Sequence, residues 1–292
     1  MRHLIRFDDL TDDDVTQVLA RADELRSGTS VLKPASFDVG LLFLTSSLRT
    51  RVGFTVAAGR LGGRVVDVNQ GRWDPKMSAA ESFSDTLRTL SGMVDLVIVR
   101  CPFPLGPAVR EAKPAAPVIN AGDDIEHPSQ ALVDLFAMES MCGPIETLSV
   151  ALVGDLRMRA ARSMLRCLAR RGPRSLKLFS PPGRGPEQEP TVGAIHSERL
   201  SDLEQVDVLY AVGLPAGSGD DQLNDDQRQT FAVTPQLLDR LGDQVTVLSP
   251  MPVVDEITPE ARADRRVRIF EQADRSVWVR MALIELVLAE LR

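Results

Sequence analysis

The stretch VGLLFLTSSLRTRVGFTVAAGRLGGRVVDV, residues 39–68, decides the fold. Val39–Thr45 is an unbroken apolar run of strand length. From Ser46 the period changes: Val52, Thr55, Val56 and Leu61 recur at helical spacing, and Arg64–Val68 is again a strand. Outward from this strand–helix–strand unit the alternation continues. Thr11 is a good N-cap for a helix with Asp12, Asp13 and Asp14 in its first turn and Gly28 just past its end. Glu81–Gly92 reads as a helix, Asp95–Arg100 as a strand, Pro117–Asn120 as a strand, and His127–Gly143 as a helix with Pro128 early and Gly143 at its end. Asn69–Ser78 and Pro215–Gln229 read as loops, the second as a mobile loop or lid.

After Pro144 the pattern restarts. Ser149–Asp155, Ser175–Pro181, Val206–Val212 and Val245–Pro250 read as strands, Arg159–Gly172 and Pro235–Gly242 as helices, and residues 276–292 as an amphipathic closing helix. The expectation is an α/β protein of two doubly wound parallel-sheet domains, 1–135 and 136–292, with helix 276–292 packing back on the first.

Composition narrows the class. In 292 residues there are 34 Lys plus Arg against 41 Asp plus Glu, a formal charge of −7, so no basic field attracts nucleic acid or anionic lipid. Only Lys33, Lys76, Lys113 and Lys177 are lysines, and chemistry that needs a lysine has few candidates. Cys101, Cys142 and Cys167 are too scattered for a disulfide framework or a zinc site and read as buried free thiols in a reducing cytosol. Three histidines leave no room for a multi-histidine metal centre. The N-terminus turns acidic at once, unlike a signal peptide, and no apolar run reaches membrane-span length. The expectation is a soluble, cytoplasmic protein that needs no metal or cofactor.

Three constellations carry chemistry. Ser47-Leu48-Arg49-Thr50-Arg51 opens a helix directly after a strand, where backbone N–H groups, hydroxyls and guanidinium groups suit a phosphate; a plain helix start with surface arginines is the alternative. Arg100 ends a strand on the edge where open α/β sheets bind ligands. Asn120-Ala121-Gly122-Asp123 leads to His127-Pro128-Ser129-Gln130, with Gln130 one turn beyond His127. There a neutral imidazole can polarise a carbonyl and a carboxamide can hold an amide group, although a capping histidine is the simpler alternative.

In this order and spacing the chain resembles the aspartate/ornithine carbamoyltransferases, closest to the aspartate branch. The matching motifs are Ser47/Arg49–Arg51, Glu81–Thr86, Val99–Pro102, Asn120–Gln130, Val153–Asp155, Arg159–Ser163, Val254–Ile257 and Val279–Leu283. The resemblance implies the fold already read, carbamoyl transfer in amino-acid or pyrimidine metabolism, and a homotrimer or larger assembly with related subunits. It implies carbamoyl phosphate bound by Ser47, Arg49, Thr50, Arg100, His127 and Gln130, with Arg49, Arg100 and His127 catalytic, and an amine acceptor held in part by Arg159.

The sequence also departs from the family pattern. Leu48 replaces a threonine, and Cys101 replaces the histidine after the strand arginine. Ala79 stands where a neighbouring subunit would deliver a lysine, leaving Lys76 or Arg72 as substitutes. Residues 211–215 lack the acceptor-binding R-x-Q, and Ser249-Pro250-Met251-Pro252-Val253 replaces H-P-L-P-R. Two readings follow: a divergent transferase whose acceptor is not aspartate, or a non-catalytic paralogue with a regulatory or assembly role. A dinucleotide oxidoreductase is disfavoured, because VALVGDLRMR contains no GxGxxG.

Overall fold

The structure is a computed structural model that describes residues 3–29, 36–68, 81–187, 193–215 and 223–289. The chain divides into two compact units, Met1–Val133 with Arg275–Arg292, and Asp134–Asp274.

In the first unit α1 (Asp12–Ser27) starts as its sequence dictates. Thr11 accepts from the Asp14 N–H, the Asp14 carboxylate reaches back to Thr11, and Gly28 closes the helix in the left-handed conformation. The chain continues through β1 (Asp38–Phe43), α2 (Leu48–Arg60), β2 (Arg64–Val68), α3 (Phe83–Ser91), β3 (Leu96–Arg100), α4 (Leu105–Ala112) and β4 (Val118–Asn120) into α5 (Pro128–Cys142). The four strands pair in parallel in the order β2-β1-β3-β4. Leu42, Val97, Val99 and Val118 share one apolar cluster with Leu87 of α3 and Leu105 and Val109 of α4. Register sets Arg100 beside Phe43 and Asn120 beside Val99, so both polar side chains stand at the carboxyl edge.

The sequence reading missed α4. Pro107 falls in its first turn, where a missing N–H costs nothing, while Leu105, Val109 and Ala112 form a buried stripe at helical spacing. Residues 69–80, which hold the expected loop with Arg72, Lys76 and Ala79, lie outside the described residues.

The second unit carries β5 (Ser149–Val153), α6 (Arg159–Arg171), β6 (Ser175–Phe179), β7 (Ile195–Ser197), β8 (Val208–Ala211), α7 (Asp225–Thr230), α8 (Pro235–Leu241), β9 (Thr246–Leu248), α9 (Pro259–Arg262) and α10 (Ile269–Asp274). Its parallel sheet has the order β7-β6-β5-β8-β9. Val153, Leu209, Ala211 and Val247 share its core with Leu237, Leu238 and Ile269. The short elements β7, α9 and α10 gave no sequence signal strong enough to place them. Part of the expected 215–229 loop is helix: Asn224 accepts from the Gln227 N–H, Gln227 returns the bond, and α7 follows. Residues 216–222 lie outside the described residues.

The closing helix α11 (Ser276–Ala289) returns to the first unit and packs against α1 and α2. It is not amphipathic as expected: all six residues from Val279 to Ile284 are buried. A helix enclosed on several sides has no wet face, and its apolar residues run round the circumference. Arg280 is the exception, a buried guanidinium 5.3 Å from the Phe54 ring centre, in space that a side chain at Gly53 would fill.

Candidate active site

The carboxyl edge of the first sheet gathers six residues singled out by the sequence. Ser47 is the N-cap of α2 but makes no side-chain capping bond. The N-cap side chains of α1, α3, α7, α8 and α9 all accept from their first turns. The start of α2 therefore presents its N–H groups and positive dipole end outward. Arg49 is half-buried beside it, and among the described residues it has no carboxylate partner. Burial lowers its pKa from the ordinary arginine value. Thr50 is buried. Arg51 turns aside: it pairs with Asp67 at 2.7 Å and lies 5.2 Å from the Phe43 ring centre. Leu48 points to solvent, 76% exposed.

Arg100 is buried at the end of β3 and donates from Nη1 to the Ala121 carbonyl at 3.0 Å. Gly122 brings it to His127. Its φ is +108°, and a β-carbon there would lie 2.5 Å from Arg100 Nη1, 3.0 Å from His127 Cδ2 and 3.3 Å from His127 Nε2. Guanidinium and imidazole converge on space that only glycine leaves open. On the other side of the ring, His127 Nδ1 lies 3.3 Å from Ser129 Oγ. Gln130 donates its backbone N–H to the His127 carbonyl at the start of α5, placing it one turn on.

Sequence reasoning missed what supports this loop. The buried Asp123 carboxylate accepts from Leu105 N at 2.9 Å, Ile125 N at 2.8 Å and Glu126 N at 2.7 Å. It thus caps α4 and closes the turn before His127. Buried Glu126 accepts from Phe7 N, and buried Asn120 accepts from Gly122 N at 2.9 Å while donating to the Ile5 carbonyl. The available signal was an Asp after Gly, a common turn former.

Arg159, the remaining candidate, begins α6 in the second unit, half-buried. Just before it Asp155 accepts from Arg157 Nε at 3.0 Å and Arg184 Nη1 at 2.6 Å. Burial works to raise the Asp155 pKa, but the bonds from Arg157 and Arg184 outweigh it and hold the carboxyl below its ordinary value. Arg184, 2% exposed, had no sequence signal.

Cys101 and Cys167 are buried as expected, whereas Cys142 is only half-buried. Among the described residues no three His, Cys, Asp or Glu side chains cluster as metal ligands, and no helix is long and apolar enough to cross a membrane.

A family model described as the aspartate/ornithine carbamoyltransferase carbamoyl-P binding domain matches residues 2–140, and the corresponding Asp/Orn binding domain matches residues 146–287. The chain belongs to the aspartate/ornithine carbamoyltransferase family. It is 32% identical over 297 residues to the aspartate carbamoyltransferase catalytic subunit of Archaeoglobus fulgidus, covering 97% of this chain and 98% of that one. It is 33% identical over 288 residues to the chloroplastic aspartate carbamoyltransferase of Arabidopsis thaliana, covering 94% and 73%. The crystal structure of ornithine carbamoyltransferase from Gloeobacter violaceus superposes with a TM-score of 0.82 at 28% identity, covering 99% of both chains. The catalytic subunit of M. jannaschii aspartate transcarbamoylase gives 0.83 at 25%, also covering 99% of both.

Proposed function

We propose that this family member binds carbamoyl phosphate in its first unit and transfers the carbamoyl group to an amine acceptor other than aspartate. The observation that carries the reading is the convergence of Arg100 and His127 at Gly122, on the same sheet edge as the uncapped start of α2. Ser47, Arg49, Thr50 and the first N–H groups of α2 cradle the phosphate. Arg100 and His127 meet the carbonyl oxygen and stabilise the negative charge that grows there, and Gln130 holds the carbamoyl amide. The acceptor nitrogen attacks the carbonyl carbon, a C–N bond forms, and the bond from carbon to the phosphate oxygen breaks with its electron pair leaving on phosphate. The proton lost by the amine ends on phosphate, giving an N-carbamoyl product and hydrogen phosphate.

Arg159 takes a carboxylate of the acceptor. Aspartate carries two, and a carboxylate held without a cationic partner costs several kcal/mol. The missing R-x-Q and loop arginine therefore favour a different amine. Exposed Leu48 and Val52 one turn apart on α2, with exposed Val66 on edge strand β2, support assembly into a homotrimer. Light scattering then reads three times the 31.9 kDa chain mass.

The second reading, a non-catalytic paralogue, is favoured by Ala79 in the lysine position. Calorimetry with carbamoyl phosphate, beside phosphate release with a panel of amines, separates them. Tight binding with turnover supports the transferase, and tight binding without turnover on any amine supports the paralogue. Arg49→Ala should weaken binding by roughly tenfold or more, the scale of a lost charge-assisted hydrogen bond. Unchanged affinity would remove Arg49 from the site.

A further inference from the structure

Among the described residues two that are not glycine have a positive φ, Lys113 at 46° and Met251 at 49°. Lys113 closes α4 as its C-cap. Met251 ends no helix. It lies between β9 and α9, in the loop at the carboxyl edge of the second sheet, the edge where open parallel sheets take ligands. A methionine enters the left-handed region at an energetic cost and stays there only where its surroundings hold it, an arrangement concentrated at functional sites.

Here the surroundings are polar and buried. The Met251 N–H donates to Ser249 Oγ at 3.2 Å, and the Val254 and Asp255 N–H groups donate to Glu256 Oε2 at 2.9 and 3.2 Å. Arg262 Nη2 donates to the Val253 and Val254 carbonyls at 3.1 and 2.8 Å. These partners are near in sequence and fold the loop on itself. The far end of the loop is anchored by the pairing of Ile257 with Val233.

The near end is held differently. The ladder between β8 and β9 ends at Leu248. One residue later the Ser249 N–H donates to Gln272 Oε1 of α10 at 2.9 Å, and both side chains are 2% exposed. The Gln272 carboxamide has a single workable orientation. The Ser249 N–H requires its oxygen, and the Asp134 carboxylate requires its Nε2. Tyr210 of β8 donates to the other oxygen of Asp134 at 2.6 Å. A turned carboxamide would set donor against donor and acceptor against acceptor in a buried space.

We infer that Gln272 is a positioning residue for the acceptor: held by Asp134 and Tyr210, it fixes Ser249 and so places the Met251 turn where the loop meets the incoming amine. This rests on the transferase reading above and adds to it a residue that touches no substrate.

Gln272→Met keeps the length of the side chain and removes both hydrogen bonds, whereas Gln272→Glu keeps an oxygen for the Ser249 N–H. Tyr210→Phe removes one hydroxyl and carries the same comparison where Gln272→Met does not fold. Transfer from carbamoyl phosphate is measured to L-aspartate, L-ornithine, L-glutamine and L-leucine, and the amine that the parent uses best is followed in each variant. Gln272→Met should raise the KM for that amine by roughly tenfold or more, the scale on which a displaced positioning group acts. Amide exchange over residues 249–255 should quicken, and carbamoyl phosphate should bind in calorimetry as it does to the parent. Gln272→Glu should recover part of the KM, and Tyr210→Phe should shift it in the same direction by less. A parent-like KM in Gln272→Met, or in Tyr210→Phe if the first does not fold, would overturn the positioning role and leave the transferase reading intact. Equal losses for the amine and for carbamoyl phosphate would do the same, since they mark a general loss of structure. Turnover of none of the four amines by the parent, with carbamoyl phosphate bound, would overturn both.

Discussion

Tyr210 donates its hydroxyl to Asp134 Oδ2 at 2.6 Å, and both side chains are fully buried. Gln272 donates to the other oxygen of the same carboxylate, and its own Oε1 accepts from Ser249 N at 2.9 Å. A buried polar chain therefore joins β8, α5 and α10 to the loop after β9. Burial and the neighbouring Asp134 carboxylate push the Tyr210 pKa well above the ordinary tyrosine value of 10. Tyr210 is the sole tyrosine of the chain, so phenolate absorbance reports on it alone. The phenol should stay protonated until alkaline unfolding releases it. Its stabilisation is complete below pH 10 and is lost as pH rises toward the folded value. Phenolate appearing near pH 10 in the folded protein would contradict this. Tyr210→Phe leaves a buried acceptor short of a donor and should cost about 1–3 kcal/mol in denaturant unfolding.

Gly122→Ala should abolish carbamoyl phosphate binding in calorimetry. The added methyl strains a backbone held at φ +108° and collides with Arg100 Nη1, driving it away from His127. Far-UV circular dichroism should remain that of the parent, because the displacement is confined to one loop and two side chains. Parent-like affinity would show that the Arg100–His127 convergence is not needed for the ligand.

Asp123→Ala strips three N–H groups of their acceptor at once, including the cap of α4. The expected loss is several kcal/mol, on the scale of hydrogen bonds to a charged group, together with weaker carbamoyl phosphate binding. Thermal unfolding compared with Asp123→Asn, which keeps an acceptor oxygen, should place the asparagine variant between parent and alanine.

Acid sensitivity should be traceable to Asp264 in the second unit. The hydrogen bond from Arg266 holds its pKa down to about 2. A depressed carboxyl contributes its full stabilisation above the ordinary value of 3.8 and loses it as pH falls toward 2. Urea midpoints measured across that window should fall less steeply for Asp264→Asn than for the parent. Equal slopes would exclude the Arg266 contact as a source of acid lability.

Much of the architecture was legible because it is written in local periodicity. β2 ran over Arg64–Val68 as read, α1 began and ended at the caps its sequence supplies, and the change of period after Thr45 marked α2. Local signals were weakest for α4, with Gly106 and Pro107 in its first turn, and for β7, a three-residue edge strand. The six first-unit site candidates were visible as motifs, but Arg51 was read into the anion site and instead serves Asp67.

By itself the sequence determined the alternation of strands and helices, the helix caps and the residue types available for anion chemistry, since each depends on neighbours within a turn or two. Only the tertiary structure decided that Arg100 and His127 meet over Gly122, that Asp123 caps a helix eighteen residues upstream, and that Arg184 is buried against Asp155. It also decided that α11 is enclosed against α1 and α2 rather than lying with one wet face. These contacts join residues far apart in the chain. Which side chains share a buried space is set by parallel strand register and by the volume left between packed elements, and no local periodicity encodes either.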